Sequence, residues 1–255
     1  MAFDRRQLQR DRYRYWLDSP CKSPPDLCGD GVIYGLFEAD GRADLGTEIA
    51  ITLCREAWPG RIQLWHVGSY PDLAGLDVEL IDAREVQRRH GGRIDSWALK
   101  GFAVRHSGLA RCLWLDWDAY PVLSPAALFA ALDRFCVVVW PNPPQFNSYP
   151  PDLFGHFLRP EEIVRPVQGG QILIDCQSYW RGVMLQAAWD SDSELRRRYD
   201  DQPGWQFGLS VLKLPHLFSG PMPWVPHAWV CHYDGKPAVV HRVACKLWPD
   251  CVPRW

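Results

Sequence analysis

From Gly31 onward, short apolar runs alternate with longer stretches of helical period. Val32-Ile33-Tyr34-Gly35-Leu36 reads as a strand. Leu45, Ile49, Leu53 and Ala57 then recur four apart and predict a helix over 44–57. Ile62–Val67 and Val78–Ile81 are the next two strands. Asp95 or Ser96 can cap a helix whose Leu99, Phe102, Ala103 and His106 share a face. That helix feeds Leu113-Trp114-Leu115, apolar throughout, as in a strand buried on both faces. Ser124-Pro125 opens another helix, a capping hydroxyl followed by proline in the first turn. Cys136–Trp140 is a further strand. This alternation predicts an α/β fold built on a doubly wound, mostly parallel sheet.

After Trp140 the pattern loosens. Residues 141–168 carry seven prolines and several aromatics, and read as a long excursion over the ligand edge of the sheet. Regularity returns at Gly169-Gly170-Gln171-Ile172-Leu173-Ile174-Asp175, where a glycine pair opens a buried strand. A helix follows from about Ser178, with Trp180, Val183, Met184, Ala187 and Ala188 on its apolar face. Tyr199-Asp200-Asp201-Gln202 precedes an amphipathic stretch through Trp205, Leu209 and Leu212. The last periodic segment is Ala238-Val239-Val240-His241-Arg242, a strand, ahead of Lys246-Leu247-Trp248. Residues 1–30 stand outside the pattern as an appendage and linker, and residues 31–255 make one domain. In the appendage Arg5, Arg6, Arg10, Arg12 and Arg14 sit among Tyr13, Tyr15 and Trp16. A surface-lying helix is expected there, with weak peripheral membrane contact open to residues 1–20.

Composition narrows the classes. A chain of 255 residues, 47% hydrophobic and 23% charged, can bury one sizeable core. A net charge of −2 supplies no global basic field for a nucleic-acid partner. The charged N-terminus lacks the apolar centre of a signal peptide, and no apolar run approaches the roughly 20 residues of a membrane span. Nine cysteines without a Cys-x-x-Cys pair read as reduced thiols of a cytoplasmic protein.

The chemistry concentrates where the buried strand ends, at Asp116-Trp117-Asp118 with Pro121 closing the segment. Two acids two apart on a continuing strand point the same way. Where a strand runs out into a loop they can converge on one hard divalent cation such as Mg²⁺ or Mn²⁺. A plain polar strand end is the alternative, and the apolar lead-in places the metal reading ahead of it. Ligands of open α/β sheets gather beyond the carboxyl ends of the strands, where both acids fall.

Asp116-x-Asp118, Gly170-Gln171-x-Leu173-Ile174-Asp175, Asp201-Gln202 and Val240-His241-Arg242 together resemble a nucleotide-sugar glycosyltransferase of the GT-A fold. The chain is most similar to the fungal α-mannosyltransferase family and to the glycogenin-like family. Ile62-Gln-Leu-Trp-His66, the stretch from Asp82 to Val86 through Trp97–Lys100, and Phe102–Ser107 carry the former likeness. Gly169, where serine is usual, and Asp200, where glycine is usual, depart from the pattern, and the membrane anchor of secretory relatives is not expected here. The resemblance implies a Rossmann-like mixed, mostly parallel sheet flanked by helices. It implies metal ligands Asp116, Asp118 and a third, His241, with Mn²⁺ or Mg²⁺ as the ion. Tyr34, Gly35, Lys100, Trp117, Arg242 and Lys246 are expected beside the donor, and Gln171, Asp175, Asp201 and Gln202 near the reacting sugar. Trp140, Phe146, Tyr149 and Trp205 are candidates for an acceptor-stacking platform.

The activity so implied is transfer of a sugar, a hexose and by the first likeness mannose, from a nucleoside diphosphate sugar to an acceptor hydroxyl. Retention is expected, with Asp175 or Asp201 held in reserve as a base should the product be inverted. GDP is slightly favoured over UDP as the nucleotide. Two other classes share parts of this pattern. A non-catalytic sugar-nucleotide-binding scaffold keeps the fold without the activity. An aspartate-nucleophile phosphohydrolase also begins with Asp-x-Asp after a strand. It expects Thr or Val two positions beyond the second acid, where Tyr120 stands.

Overall fold

A computed structural model describes residues 23–38, 41–142, 154–192, 202–220 and 228–241, with single positions or pairs at 11, 14–15, 17–18, 195 and 224–225. Seven strands form the main sheet. They are β1 (Asp30–Phe37), β2 (Arg61–Val67), β3 (Glu79–Asp82), β4 (Arg111–Asp116), β6 (Val137–Pro141), β7 (Val167–Asp175) and β8 (His216–Phe218), in the order β3-β2-β1-β4-β7-β6-β8. Four of the six neighbour pairings are parallel and the two made by β7 are antiparallel. The sheet is thus mixed and mostly parallel, as expected. A second sheet, absent from the sequence-based reading, joins β5 (Ala119–Pro121), β9 (Trp224–Val225), β10 (Ala228–Tyr233) and β11 (Lys236–His241) in the order β5-β11-β10-β9.

Strand alternation sorts the side chains into two cores. Val32, Leu113, Leu115 and Leu173 meet α1 (Gly41–Ala57), α4 (Pro125–Phe129) and the second sheet through Ala50, Ile51, Phe129 and Val240. Ile33, Cys112, Ile172 and Ile174 meet α3 (Ala98–His106), α5 (Trp180–Ser191) and α6 (Gln202–Leu212) through Leu99, Phe102, Val183 and Leu209. The short α2 (Ala83–His90) begins at Asp82, whose carboxylate accepts the Arg84 N–H as an N-cap.

Several local expectations change once the layers are packed. Along α1 the buried positions are Ala50, Ile51 and Cys54, whereas Leu45 is 44% exposed. The helix turns the face of Ala50, Ile51 and Cys54 to the core, with Leu53 of the expected stripe packed at its border. Asp95, one of the two proposed caps, does hold the start of α3, its Oδ1 accepting from Trp97 N at 3.0 Å and Ala98 N at 2.8 Å. Ser124 precedes α4 without a side-chain cap bond, and that helix is only five residues long. Contacts with the sheet and its connections begin upstream of Gly31. Leu27 packs on the α3 side of the sheet, and Cys28 N donates to Gly108 O at 3.0 Å. Further upstream, Leu17 lies against a small cluster of Phe154, Trp189 and Phe207. Most of residues 1–20, and with them the expected membrane contact, fall outside the described residues. Among the described residues no helix is long and apolar enough to cross a membrane.

Candidate metal centre

β4 delivers Asp116 at its carboxyl end, and a turn through Trp117 and Asp118 leads straight into β5. The acids therefore bracket a turn, with Asp116 partly buried and Asp118 fully buried. β5 is the edge strand of the second sheet and pairs antiparallel with β11, Ala119 opposite His241. That register sets an imidazole from the far end of the chain beside the turn. His241 Nε2 stands 3.2 Å from Asp118 Oδ1 and 4.0 Å from Asp116 Oδ2. One ligand atom from each of the three residues lies within 4.8 Å of the others.

β7 makes the room for this convergence. It runs antiparallel to β4, so its first residues lie beside the end of β4, with Gln171 opposite Leu115. A Cβ on Gly170 would overlap His241, 2.5 Å from Nδ1, and would lie 3.2 Å from Asp116 Oδ2. No side chain larger than a hydrogen fits where the imidazole enters. The neighbouring Gly169 carbonyl accepts a hydrogen bond from Lys100 Nζ. Lys100 is buried on α3, its Nζ 3.7 Å from Asp116 Oδ1 and 5.7 Å from the centre of the Trp114 ring.

The donor set tests whether a metal fits. Two carboxylates and an imidazole, one acid fully buried, converge with no side chain between them. Such a mixed set suits Mn²⁺ better than Mg²⁺, which prefers oxygen alone. Beside it opens a cleft of about 190 Å³ bordered by Phe37, Trp97, Lys100, Trp114, Asp116 and Trp117, with Gly35 at its floor. Phe37 closes the first strand, whose residues 31–37 are expected to border the nucleotide, whereas Trp97, 52% exposed, was not named as a site residue from the sequence. Its position directly after the Asp95 cap, at the carboxyl edge of the sheet, was the available signal.

The remaining candidates divide by strand direction. Gln171 is fully buried one step from Asp116, on the Leu115 face of the sheet. Gln202, at the start of α6, accepts from Asn142 Nδ2 at 2.9 Å, and Asn142 N donates to Pro166 O just ahead of β7. Asp175 does not join the group. It pairs with Arg111 at the foot of β4, roughly 16 Å from Asp116 by strand length. Its carboxylate accepts from Gln177 N, Ser178 N and Ser178 Oγ, closing the turn into α5. Tyr34 is also elsewhere, fully buried under α1 with its hydroxyl donating to Ala50 O at 3.2 Å. Gly35 borders the cleft, and a Cβ there would overlap the Trp114 ring. Of the stacking candidates, Trp140 and Trp205 are core residues. Phe146, Tyr149, Asp201, Arg242 and Lys246 lie outside the described residues.

The sequence matches no known protein-family profile and no curated protein. Among solved structures the chain is similar to mouse xyloside xylosyltransferase 1 in its apo form, at 11% identity and a TM-score of 0.48, over 74% of this chain and 85% of that one. It is similar to the galactosyltransferase LgtC in complex with donor and acceptor sugar analogues, at 14% identity and a TM-score of 0.44, over 74% of this chain and 73% of that one. A third is the bifunctional glycosyltransferase WbbM in its apo structure, at 10% identity and a TM-score of 0.48, over 79% of this chain and 40% of that one. All three of these solved structures are glycosyltransferases.

Proposed function

We propose that this protein is a metal-dependent glycosyltransferase, moving a hexosyl group from a nucleoside diphosphate sugar to an acceptor hydroxyl with retention of configuration. The observation that carries the reading is the convergence of Asp116, Asp118 and His241 at the carboxyl edge of the sheet, beside a cleft that holds a lysine. At about 190 Å³ the cleft is below the roughly 300 Å³ of sites that enclose a whole drug-sized ligand. It therefore takes one part of a donor and leaves the reacting sugar at its mouth, next to the acids. Phe37, Trp97 and Trp117 offer aromatic faces to a base and ribose.

Asp116, Asp118 and His241 would hold the ion, which supplies Lewis-acid neutralisation of the departing diphosphate when bound. Lys100 adds a buried ammonium on the same side of the cleft, in place before the charge develops. Retention agrees with the position of Asp175, which is too far from the cluster to activate an acceptor. In the proposed step the bond from C1 to the phosphate oxygen breaks and a bond from C1 to the acceptor oxygen forms on the same face. The acceptor proton passes to the leaving diphosphate. An α-linked donor should thus give an α-linked product, read by NMR of the anomeric proton. A β-linked product rules out this route.

Thermal shifts test donor recognition. Native-state binding raises the melting temperature by mass action, by about 2.7 kcal/mol of stability at a hundredfold excess over Kd. GDP or UDP with Mn²⁺ should raise it and the same nucleotide in excess chelator should not, with GDP expected to give the larger shift. A shift with UDP alone reverses the preference for GDP. No shift with either nucleotide removes the donor assignment.

A further inference from the structure

Resting on the metal reading above, we propose that Trp114 is a positioning residue that fixes which oxygen of Asp116 faces the metal centre. Trp114 and Asp116 lie two apart on β4 and point to the same face of the sheet. The indole is 3% exposed and its Nε1 donates to Asp116 Oδ1 at 2.9 Å. An indole N–H is a donor only, so the bond has one possible sense. It engages Oδ1, and Oδ2 is the oxygen that faces His241 Nε2 and Gly170.

The neighbouring strand is shaped for this contact. Gly35 on β1 is the register partner of Asp116. A Cβ there would overlap the Trp114 ring, 2.9 Å from Cζ2. Glycine at this position lets the indole lie close over the β1 backbone, which brings its nitrogen to the acid. A phenylalanine would fill much of the same space but would leave Oδ1 without the N–H. Lys100 Nζ, 3.7 Å from Oδ1, would then compete for the whole carboxylate and turn it from the cluster. Trp114 thus keeps Asp116 aimed by one oxygen while the lysine stays on its other partner, the Gly169 carbonyl. Groups that orient metal ligands in this way commonly change metal affinity by about 10–100-fold when removed.

The test is Mn²⁺ affinity of the purified protein, measured by the EPR signal of the free ion without any donor. W114F should bind Mn²⁺ about tenfold more weakly than wild type. In a D116A background, at millimolar Mn²⁺, the same change should alter affinity by less than about twofold, because the residue acts through Asp116. G35A, which displaces the indole and leaves its nitrogen in the chain, should reproduce the loss and covers the case in which W114F fails to fold. Wild-type affinity in folded W114F or G35A overturns the assignment, and so does an equal loss with and without Asp116. If wild type itself binds no Mn²⁺, the metal reading falls and this assignment falls with it, a result distinct from the others.

Discussion

Asp118→Ala is expected to remove metal binding and to cut transfer with it while the chain still folds. Asp118 is fully buried, with His241 at 3.2 Å and Asp116 two residues before it at the end of β4. Two carboxylates at such a site repel each other when no cation joins them. Removing one gives up the contact with His241 and relieves that repulsion, so the melting temperature without metal should move by only a few degrees. Metal chemistry contributes several kcal/mol to a transition state of this kind, and about 1.4 kcal/mol is a factor of ten in rate. Transfer should therefore fall by roughly a thousandfold or more. The check is a pair of measurements on one preparation, turnover and the thermal shift with Mn²⁺. Wild type should gain stability with the ion and lose it to chelator, whereas the variant should respond to neither. Undiminished turnover in the variant would remove Asp118 from the metal centre.

Gly170→Ala is expected to have nearly the same functional effect without replacing a ligand. The added Cβ would overlap His241 and crowd Asp116 Oδ2 at 3.2 Å. The strand is paired with β4 from Gln171 and with β6 from Ile172 onward, so its backbone is anchored just beyond Gly170. His241 sits on β11 between Ala119 of β5 and Trp229 of β10, so it is the imidazole, and not its backbone, that must turn away. Overpacking of this kind costs about 1–3 kcal/mol of stability. Loss of one of three ligands should weaken Mn²⁺ binding by at least about a hundredfold, beyond the usual effect of an orienting group. Calorimetric titration with Mn²⁺ and a melting curve separate the two effects. If His241 takes no part in metal binding, the variant will be destabilised and yet bind the ion as wild type does.

The strands β1 to β4, β6, β7 and β11, the main helices and the Asp-x-Asp edge were legible because each depends on neighbours in sequence, whereas β5, β8, β9 and β10 were not read. A run such as Leu113-Trp114-Leu115 is apolar whatever it packs against, and an Asp95 cap acts on amides two and three residues away. The layer that a helix buries was less legible. The α1 stripe misled because leucines at helical spacing say that a face is apolar, and the sheet chose the adjacent face of Ala50, Ile51 and Cys54. Tyr34 misled for a related reason. Its neighbours Ile33 and Gly35 belong to the face turned toward α3 and the cleft, and alternation sends Tyr34 to the other.

Strand direction lay beyond any local pattern. An apolar run reads the same whether a strand ascends or descends, so the segment from Gly169 to Asp175 predicted a buried strand and left its sense open. Because β7 descends, its glycines arrive beside Asp116 and its aspartate is carried to Arg111 at the foot of β4. The sequence by itself determined the residue types available for chemistry: two acids at a strand end, a late histidine, a lysine on the preceding helix. Tertiary structure decided which of them meet. The β5–β11 register brought in His241, Gly170 made space for it, and Gly35 let Trp114 reach Asp116. Those contacts join residues far apart in the chain through backbone pairing and excluded volume, two quantities that no short stretch of sequence contains.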